Sequence, residues 1–165
     1  MPGRNLSQKR RNAQAYLDAV FMGDLEAVER LLATGVPVDT RDPEHDETAL
    51  MLALRFNNDA IARLLLTQGA DVNARQREGK TPIMDADVSM LSELRNAGAD
   101  IQAADNEGVT VLMKAVERAN TEKAKWLIEN GANMAAKDEE GQTARDYAID
   151  SVMLEIIAIL QRESR

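Results

Sequence analysis

The chain contains no cysteine, and only 3% of its 165 residues are aromatic. The lack of cysteine excludes disulfide bonds and thiol chemistry, and it fits a reducing compartment. Hydrophobic residues nevertheless make up 44% of the sequence. This composition favours thin layers of helices packed through small and medium apolar side chains, because such layers have little room for large rings.

Long apolar runs are also missing, as are the residues of common catalytic sites. No stretch of about 20 apolar residues is present, which predicts no membrane-spanning helix. The basic N-terminus is not followed by an apolar run, which predicts no secretory signal and hence a cytoplasmic protein. The one histidine, His45, lies in an acidic segment without a second histidine or a cysteine to share a metal. We expect no enzyme activity, no cofactor and no metal site.

Charge is distributed unevenly along the chain. The net charge is −8, but residues 1–14 carry four basic residues and no acidic one, which leaves −12 for the remainder. An acidic body disfavours a nucleic-acid partner, whose phosphates require a basic surface. It favours a basic protein partner, or it serves solubility alone.

Two short phrases recur along the chain at a nearly constant spacing. The first is GADVNA at 69–74, GADIQA at 98–103 and GANMAA at 131–136, with a weaker copy, GVPVD, at 35–39. The second begins at Thr48, Thr81, Thr110 and Thr143. The first and last of these intervals are both 33 residues. A period near 33 indicates a solenoid, because a unit this small cannot bury its own apolar face.

Each unit carries the start and end signals of two short helices. Thr81 can cap a helix, and Pro82 favours the first helical position. Apolar residues recur at helical spacing before Gly69 and Gly131, where glycine readily adopts the left-handed conformation that ends a helix. Gly79 lies in a polar run that is typical of a tight turn. The unit is therefore two helices joined to the next unit by a turn.

These phrases resemble the ankyrin repeat, which joins a Thr-Pro-Leu helix start to a second helix ending near Gly-Ala-Asp. The resemblance covers the chain from about residue 15 to residue 165. It implies an all-α solenoid of stacked helix-turn-helix units with short hairpin-like turns. We expect a basic, partly helical segment at 1–14 and a single domain at 15–165. Its units are expected at about 15–38, 39–72, 73–101, 102–134 and 135–165.

The resemblance also implies a non-enzymatic module, an adaptor or an inhibitor, that binds a protein partner through its turn tips and the concave face of its first helices. No nucleic acid or membrane is expected as a partner. Phe56 is of particular interest because aromatic side chains anchor interfaces, although packing between units is the alternative. Spacing within the units and the resemblance together nominate Arg41, Asp42, Glu44, Arg55, Phe56, Arg75, Arg77, Asp85, Asp87, Asn106, Glu107, Glu117, Arg118, Glu139 and Glu140.

The sequence departs from the repeat pattern in two ways. The usual histidine is replaced by Met51, Met84 and Met113, which we expect only to pack. The second and third threonines are 29 residues apart, so unit three lacks about one helical turn. Alignment of the first helices then places Asp87 where other units have an apolar residue. This predicts an acidic notch on the concave face, with drift after a deletion as the alternative.

The C-terminal helix is more apolar than a terminal unit requires. Ile156, Ile159 and Leu160 share one stripe that suits the core. The surplus apolar residues are Val152, Met153, Leu154 and Ile157. Either a tilt of the helix buries them in a monomer, or they form an exposed patch. In the second case the alternative function is a structural or assembly role, in which the chain self-associates as a homodimer.

Overall fold

The computed structural model describes residues 3–150 and 154–162 of the chain. Within these residues the secondary structure is helical, apart from two isolated β-bridges. The helices are α1 (Gly3–Met22), α2 (Leu25–Ala33), α3 (Ala49–Arg55), α4 (Asp59–Thr67), α5 (Pro82–Asp85), α6 (Val88–Asn96), α7 (Val111–Glu117), α8 (Thr121–Glu129), α9 (Ala144–Asp150) and α10 (Leu154–Arg162). The prediction of an all-α solenoid is confirmed.

The helices form two rows with the core between them. The first helices of the units, α1, α3, α5, α7 and α9, pack side by side in chain order. Second helices pack against the first helices of their own units, as in α3 with α4 and α7 with α8. Leu50, Ile61 and Leu112 are almost fully buried between the rows. Each unit thus completes its core only by contact with its neighbours.

Helix α1 is much longer than the other first helices. It runs without a break through residue 14, so residues 3–14 of the basic N-terminal segment form the first part of a 20-residue helix. Tyr16 in its second half is fully buried, and its hydroxyl donates a hydrogen bond to the Val38 carbonyl at 3.0 Å. This bond ties the first unit to the connection that leads into unit two.

Threonine starts the first helices of units two and four through a reciprocal pair of hydrogen bonds. The Thr48 hydroxyl accepts from the Met51 N–H, and the Met51 sulfur accepts from the Thr48 N–H at 3.5 Å. Thr110 and Met113 repeat the arrangement, with a sulfur contact of 3.3 Å. The expectation that these methionines only pack was therefore wrong, because a thioether is also a weak acceptor.

The first helices of units one, two and four end in the left-handed conformation. The residues are Gly23, Asn57 and Ala119, with φ of 73°, 56° and 53°. Glycine and asparagine tolerate this region, whereas the Cβ of an alanine clashes with the following carbonyl oxygen. Ala119 is therefore a strained position at the end of α7.

We expect Ala119→Gly to stabilise the protein by roughly 0.5–1 kcal/mol, because glycine relieves most of the left-handed strain. Ala97→Gly is the matched control. Ala97 is also an exposed alanine at a helix end, but its φ of −77° is unstrained. The control should lose a comparable amount because glycine adds chain entropy to the unfolded state. Urea unfolding measures both changes, and a shift of the same sign in the two variants would contradict the interpretation.

Candidate protein-binding surface

The predicted tip residues lie on hairpin-like turns that their own side chains help to close. The Asp42 carboxylate accepts hydrogen bonds from the N–H groups of Glu44, His45 and Glu47 at 2.8–2.9 Å. Partial burial raises the pKa of Asp42, but these three hydrogen bonds outweigh it and bring the pKa below its ordinary value. Asp42 is thus committed to the shape of the turn. Asp105 and Asp138 accept backbone N–H groups in the later tips.

Neighbouring tips are joined by backbone hydrogen bonds. The N–H groups of Arg77, Asn106 and Glu139 each donate to a carbonyl of the preceding tip at 2.9–3.1 Å. Arg41 and Arg75 add side-chain bonds to the following unit, to the Arg75 and Ala104 carbonyls, both at 2.9 Å. Among the candidate tip residues Asp42 is partly buried, and the others are exposed: Arg41, Glu44, Arg75, Arg77, Asn106, Glu107, Glu139 and Glu140.

Asp42, His45 and Glu47 come close together at the first tip, with potential ligand atoms within 4.8 Å of one another. The Asp42 oxygens are occupied by backbone N–H groups, and His45 Nδ1 lies 3.7 Å from one of them. Glu47 is buried, and its Oε2 forms a 2.8 Å ion pair with Arg55 Nη2 that is not aligned as a hydrogen bond. Burial raises the pKa of Glu47, and Arg55 opposes that shift. We assign no metal to this cluster.

Phe56 forms an exposed aromatic pair with Phe21 at the ends of the first two first helices. The ring centroids are 4.6 Å apart and the rings meet edge to face at 75°. Phe21 is 51% exposed and Phe56 is 40% exposed, and Met22 beside them is more exposed still. The Arg55 guanidinium lies 5.0 Å from the centroid of the Phe56 ring. We call Phe21, Met22 and Phe56 the aromatic patch.

The shortened third unit changes the shape of the face next to this patch. Helix α5 has four residues, whereas α3 and α7 have seven. The single residue Ala86 stands where units two and four have the five residues 53–57 and 115–119. Asp87 then caps α6, and its carboxylate accepts from the Val88 N–H at 2.7 Å. The placement of Asp87 in the first helix was wrong, because the missing turn moves it into the second-helix cap.

Lys123 occupies the space under the missing turn. It lies eight residues before Gly131, the position that Ile61 and Met90 hold in units two and three, and it is only 4% exposed. Its ammonium donates to the carbonyls of Ile83, Met84 and Ala86 at 2.9, 3.0 and 2.6 Å. These carbonyls end a helix too short to satisfy them. Burial lowers the pKa of Lys123 to about 8, and the Asp85 carboxylate opposes that shift.

The missing turn leaves a recess of about 340 Å³ on the first-helix side. Cationic side chains outnumber acidic ones in its lining, four to two. Asp85 is paired with Arg118 at 2.8 Å, and Lys114 with Glu117 at the same distance. The notch on this face is present, but the expectation that it is acidic was wrong, because basic residues of units two and four surround it. The cationic residues are Arg55, Lys114, Arg118 and Lys123.

Within the C-terminal helix, α10, the structure describes the side chains of residues 155–160. Ile156 and Leu160 are buried, while Ile157 and Ile159 are partly buried and pack against the core. The predicted self-association residues Val152 and Met153 lie outside the described residues, and Leu154 lies in α10 without a described side chain. The assembly through this helix therefore stays a prediction.

The sequence patterns did not single out two residues of this surface, Phe21 and Lys123. When Gly23 is aligned with Asn57, each at the end of a first helix, Met22 takes the sequence position of Phe56. This alignment also draws attention to Phe21, the residue before Met22. Alignment on the glycines after the second helices shows Lys123 at an apolar position. Both signals were present in the repeat register, but only the structure shows what the side chains contact.

Stacked helix pairs joined by linked turns define a helical-repeat protein with an extended, contiguous surface. Comparison with known families identifies the type of repeat. A model of ankyrin repeats (3 copies) matches residues 16–94, and a model of ankyrin repeats (many copies) matches residues 94–148. The chain belongs to the ankyrin repeat family.

Several curated proteins are similar to most of this chain. It is 31% identical over 130 residues to an ankyrin repeat-containing protein of Treponema pallidum (strain Nichols), covering 79% of this chain and 34% of that protein. It is 30% identical over 153 residues to the Caenorhabditis elegans homolog of transient receptor potential cation channel subfamily A member 1, covering 90% and 13%. It is 33% identical over 143 residues to human ankyrin repeat and SOCS box protein 6, covering 79% and 34%. The chain thus spans about a third or less of these relatives.

Among the described residues, no helix combines the length and the apolar character needed to cross a membrane.

We expect Lys123→Met to reduce the free energy of unfolding by roughly 1.5–6 kcal/mol. Three hydrogen bonds from a charged donor contribute about 1.5–3 kcal/mol each. The burial that lowers the pKa of Lys123 to about 8 costs on the order of 3 kcal/mol. The hydrogen bonds therefore outweigh the cost, and methionine would leave the carbonyls at the end of α5 without a donor.

Urea unfolding at pH 7 measures this difference. Lys125→Met is the control, because Lys125 lies on the same helix and makes an ion pair with Glu155 at the surface. Removal of an exposed ion pair should change stability by less than about 1 kcal/mol. If Lys123→Met were as stable as the wild type, the ammonium would not be supporting the end of α5.

Proposed function

We propose that this chain is a non-enzymatic module that binds a protein partner along the ends of its first helices, with the aromatic patch as the apolar anchor. Ankyrin repeats generally mediate protein–protein interaction, and the chain consists of such repeats over residues 16–148. This binding surface suits either of two roles. An adaptor would connect the partner to another protein, and an inhibitor would cover the functional site of the partner.

The observation that carries this proposal is the exposure of both phenylalanines. The chain contains only two phenylalanines, and its core consists mainly of aliphatic side chains, with Tyr16 as a fully buried ring. Phe21 and Phe56 instead contact each other at the surface. Exposed aromatic side chains are expensive to leave in water, and they are enriched among the residues that dominate binding energy at interfaces. The recess of unit three adjoins the patch through Arg55 and supplies part of the polar rim that such an interface needs.

The alternative proposal is an assembly role through the C-terminal helix. It rests on the apolar surplus of the sequence at 152–157, of which Ile157 is partly buried against the core. Light scattering of the purified chain distinguishes the two proposals. A dimer that Ile157→Lys converts into a folded monomer favours assembly, whereas a monomeric wild type at high concentration argues against it.

Substitution of both phenylalanines by serine should weaken partner binding by at least roughly tenfold, because truncation of an interface anchor costs about 1–2 kcal/mol or more. Both side chains lie at the surface, with 51% and 40% of their area exposed, so the fold should survive, as circular dichroism will show. Affinity capture from an extract of the source organism, quantified by mass spectrometry, measures the loss for each captured protein.

Leu6→Ser is the matched control, since Leu6 is 62% exposed but lies near the start of α1, at the opposite end of that helix from Phe21. Partners of the proposed surface should be retained by the control and lost by the double variant. Retention of the same proteins at the same level by all three chains would place the binding surface elsewhere.

A further inference from the structure

The recess of unit three continues directly from the aromatic patch. Arg55 joins the two, because its guanidinium lies 5.0 Å from the centroid of the Phe56 ring and its side chain also lines the recess. Helices α3, α5 and α7 stand side by side, so the recess lies one helix further along the row than Phe56. A partner segment that crosses the first-helix ends at the patch therefore reaches the recess next.

The chemistry of the recess favours an anionic occupant. Lys123 forms its floor, but its ammonium is already bonded to three carbonyls. Arg55 from unit two and Arg118 from unit four both line the recess, and these two units flank unit three. Each guanidinium has five N–H donors, whereas the ion pairs with Glu47 and Asp85 each use one nitrogen. Arginine donors in this fork geometry match a carboxylate.

We propose that the recess binds a glutamate or aspartate side chain from an extended segment of the protein partner, held between Arg55 and Arg118. This inference rests on the proposed function and specifies the chemistry of the partner. The volume of about 340 Å³ suits one side chain and its flanking backbone. The arginine donors of the recess select this segment, because the chain outside residues 1–14 carries a net charge of −12 and disfavours acidic segments at most other positions.

The spacing of the two subsites also constrains the segment. Neighbouring packed helices are about 8–10 Å apart. An extended chain advances about 3.3 Å per residue, so about three residues separate the apolar side chain on the aromatic patch from the acidic one in the recess. The expected motif is an apolar or aromatic residue followed or preceded at that distance by Glu or Asp.

A displayed library of random peptides of about 12 residues, long enough to cross several units, tests the motif. Selection is carried out against the full chain, with an unrelated protein as background. Enriched peptides should carry the apolar residue and the carboxylate at the expected separation. Selection of peptides with lysine or arginine at that position, or of none above background, would overturn the inference.

Binding of an enriched peptide to single variants then tests the residues. Arg118→Gln should weaken it by about tenfold or more, because a charge-assisted hydrogen bond is lost. Asp85→Asn should strengthen it by about threefold, because it releases Arg118 from an internal competitor. The gain is the sharper readout, since general damage to the fold would not produce it. Arg63→Gln is the control, because Arg63 pairs with Glu93 on the second-helix row.

Failure of this inference can be told apart from failure of the proposed function. If peptide binding is lost in the double phenylalanine variant but unchanged by Arg118→Gln and Asp85→Asn, the recess is not the acidic subsite and the aromatic patch still binds. If binding is insensitive to all of these substitutions, both proposals are overturned.

Discussion

Three hydrogen bonds from Lys123 to the end of α5 maintain the stacking of the repeats across the shortened third unit. A helix of four residues leaves its terminal carbonyls without intrahelical donors, and these carbonyls face the interior of the stack. An apolar side chain at position 123, like that of Ile61 at the equivalent position of unit two, would pack there. It could not donate hydrogen bonds to the carbonyls at the end of α5. Because each unit completes its core against its neighbours, loss of order at this point would interrupt the stacking that joins units two and four through unit three.

The same deletion shapes the surface. The residues removed from unit three correspond to those that place Arg55 and Phe56 in unit two and Arg118 in unit four. Their absence opens a recess whose walls come from the neighbouring units and whose floor is Ala86 and the Lys123 stem. A stability device and a candidate binding site therefore share one origin.

The aromatic patch depends on repetition in the opposite way. It exists because units one and two both project large apolar side chains from equivalent helix ends, so that Phe21 and Phe56 meet across the boundary between the units. Neither residue alone would form a contiguous apolar surface. Arg55, between the patch and the recess, makes the two features a single face with an apolar and a cationic part.

Much of the fold was predictable because each repeat carries local sequence signals for the start and end of its helices. Thr48 and Thr110 cap first helices, and the glycines at 69, 98 and 131 have the positive φ that ends a second helix. Phe56 was predicted to be an interface anchor, with packing between units as the alternative. The roles of the tip residues were less accessible. Asp42 closes its own turn and Arg41 bonds to the next unit, and neither contact follows from spacing alone.

By itself the sequence determined the class of fold, the number and order of the units, and the place of the deletion. These features follow from short-range signals and a fixed period, which act along the chain. Only the tertiary structure decided that Asp87 caps α6, that Lys123 replaces an apolar core residue, and that cationic residues outnumber acidic ones in the lining of the notch. Each of these depends on which side chains neighbouring units bring to the same point, because a solenoid joins residues about 30 positions apart through contacts between units rather than within them.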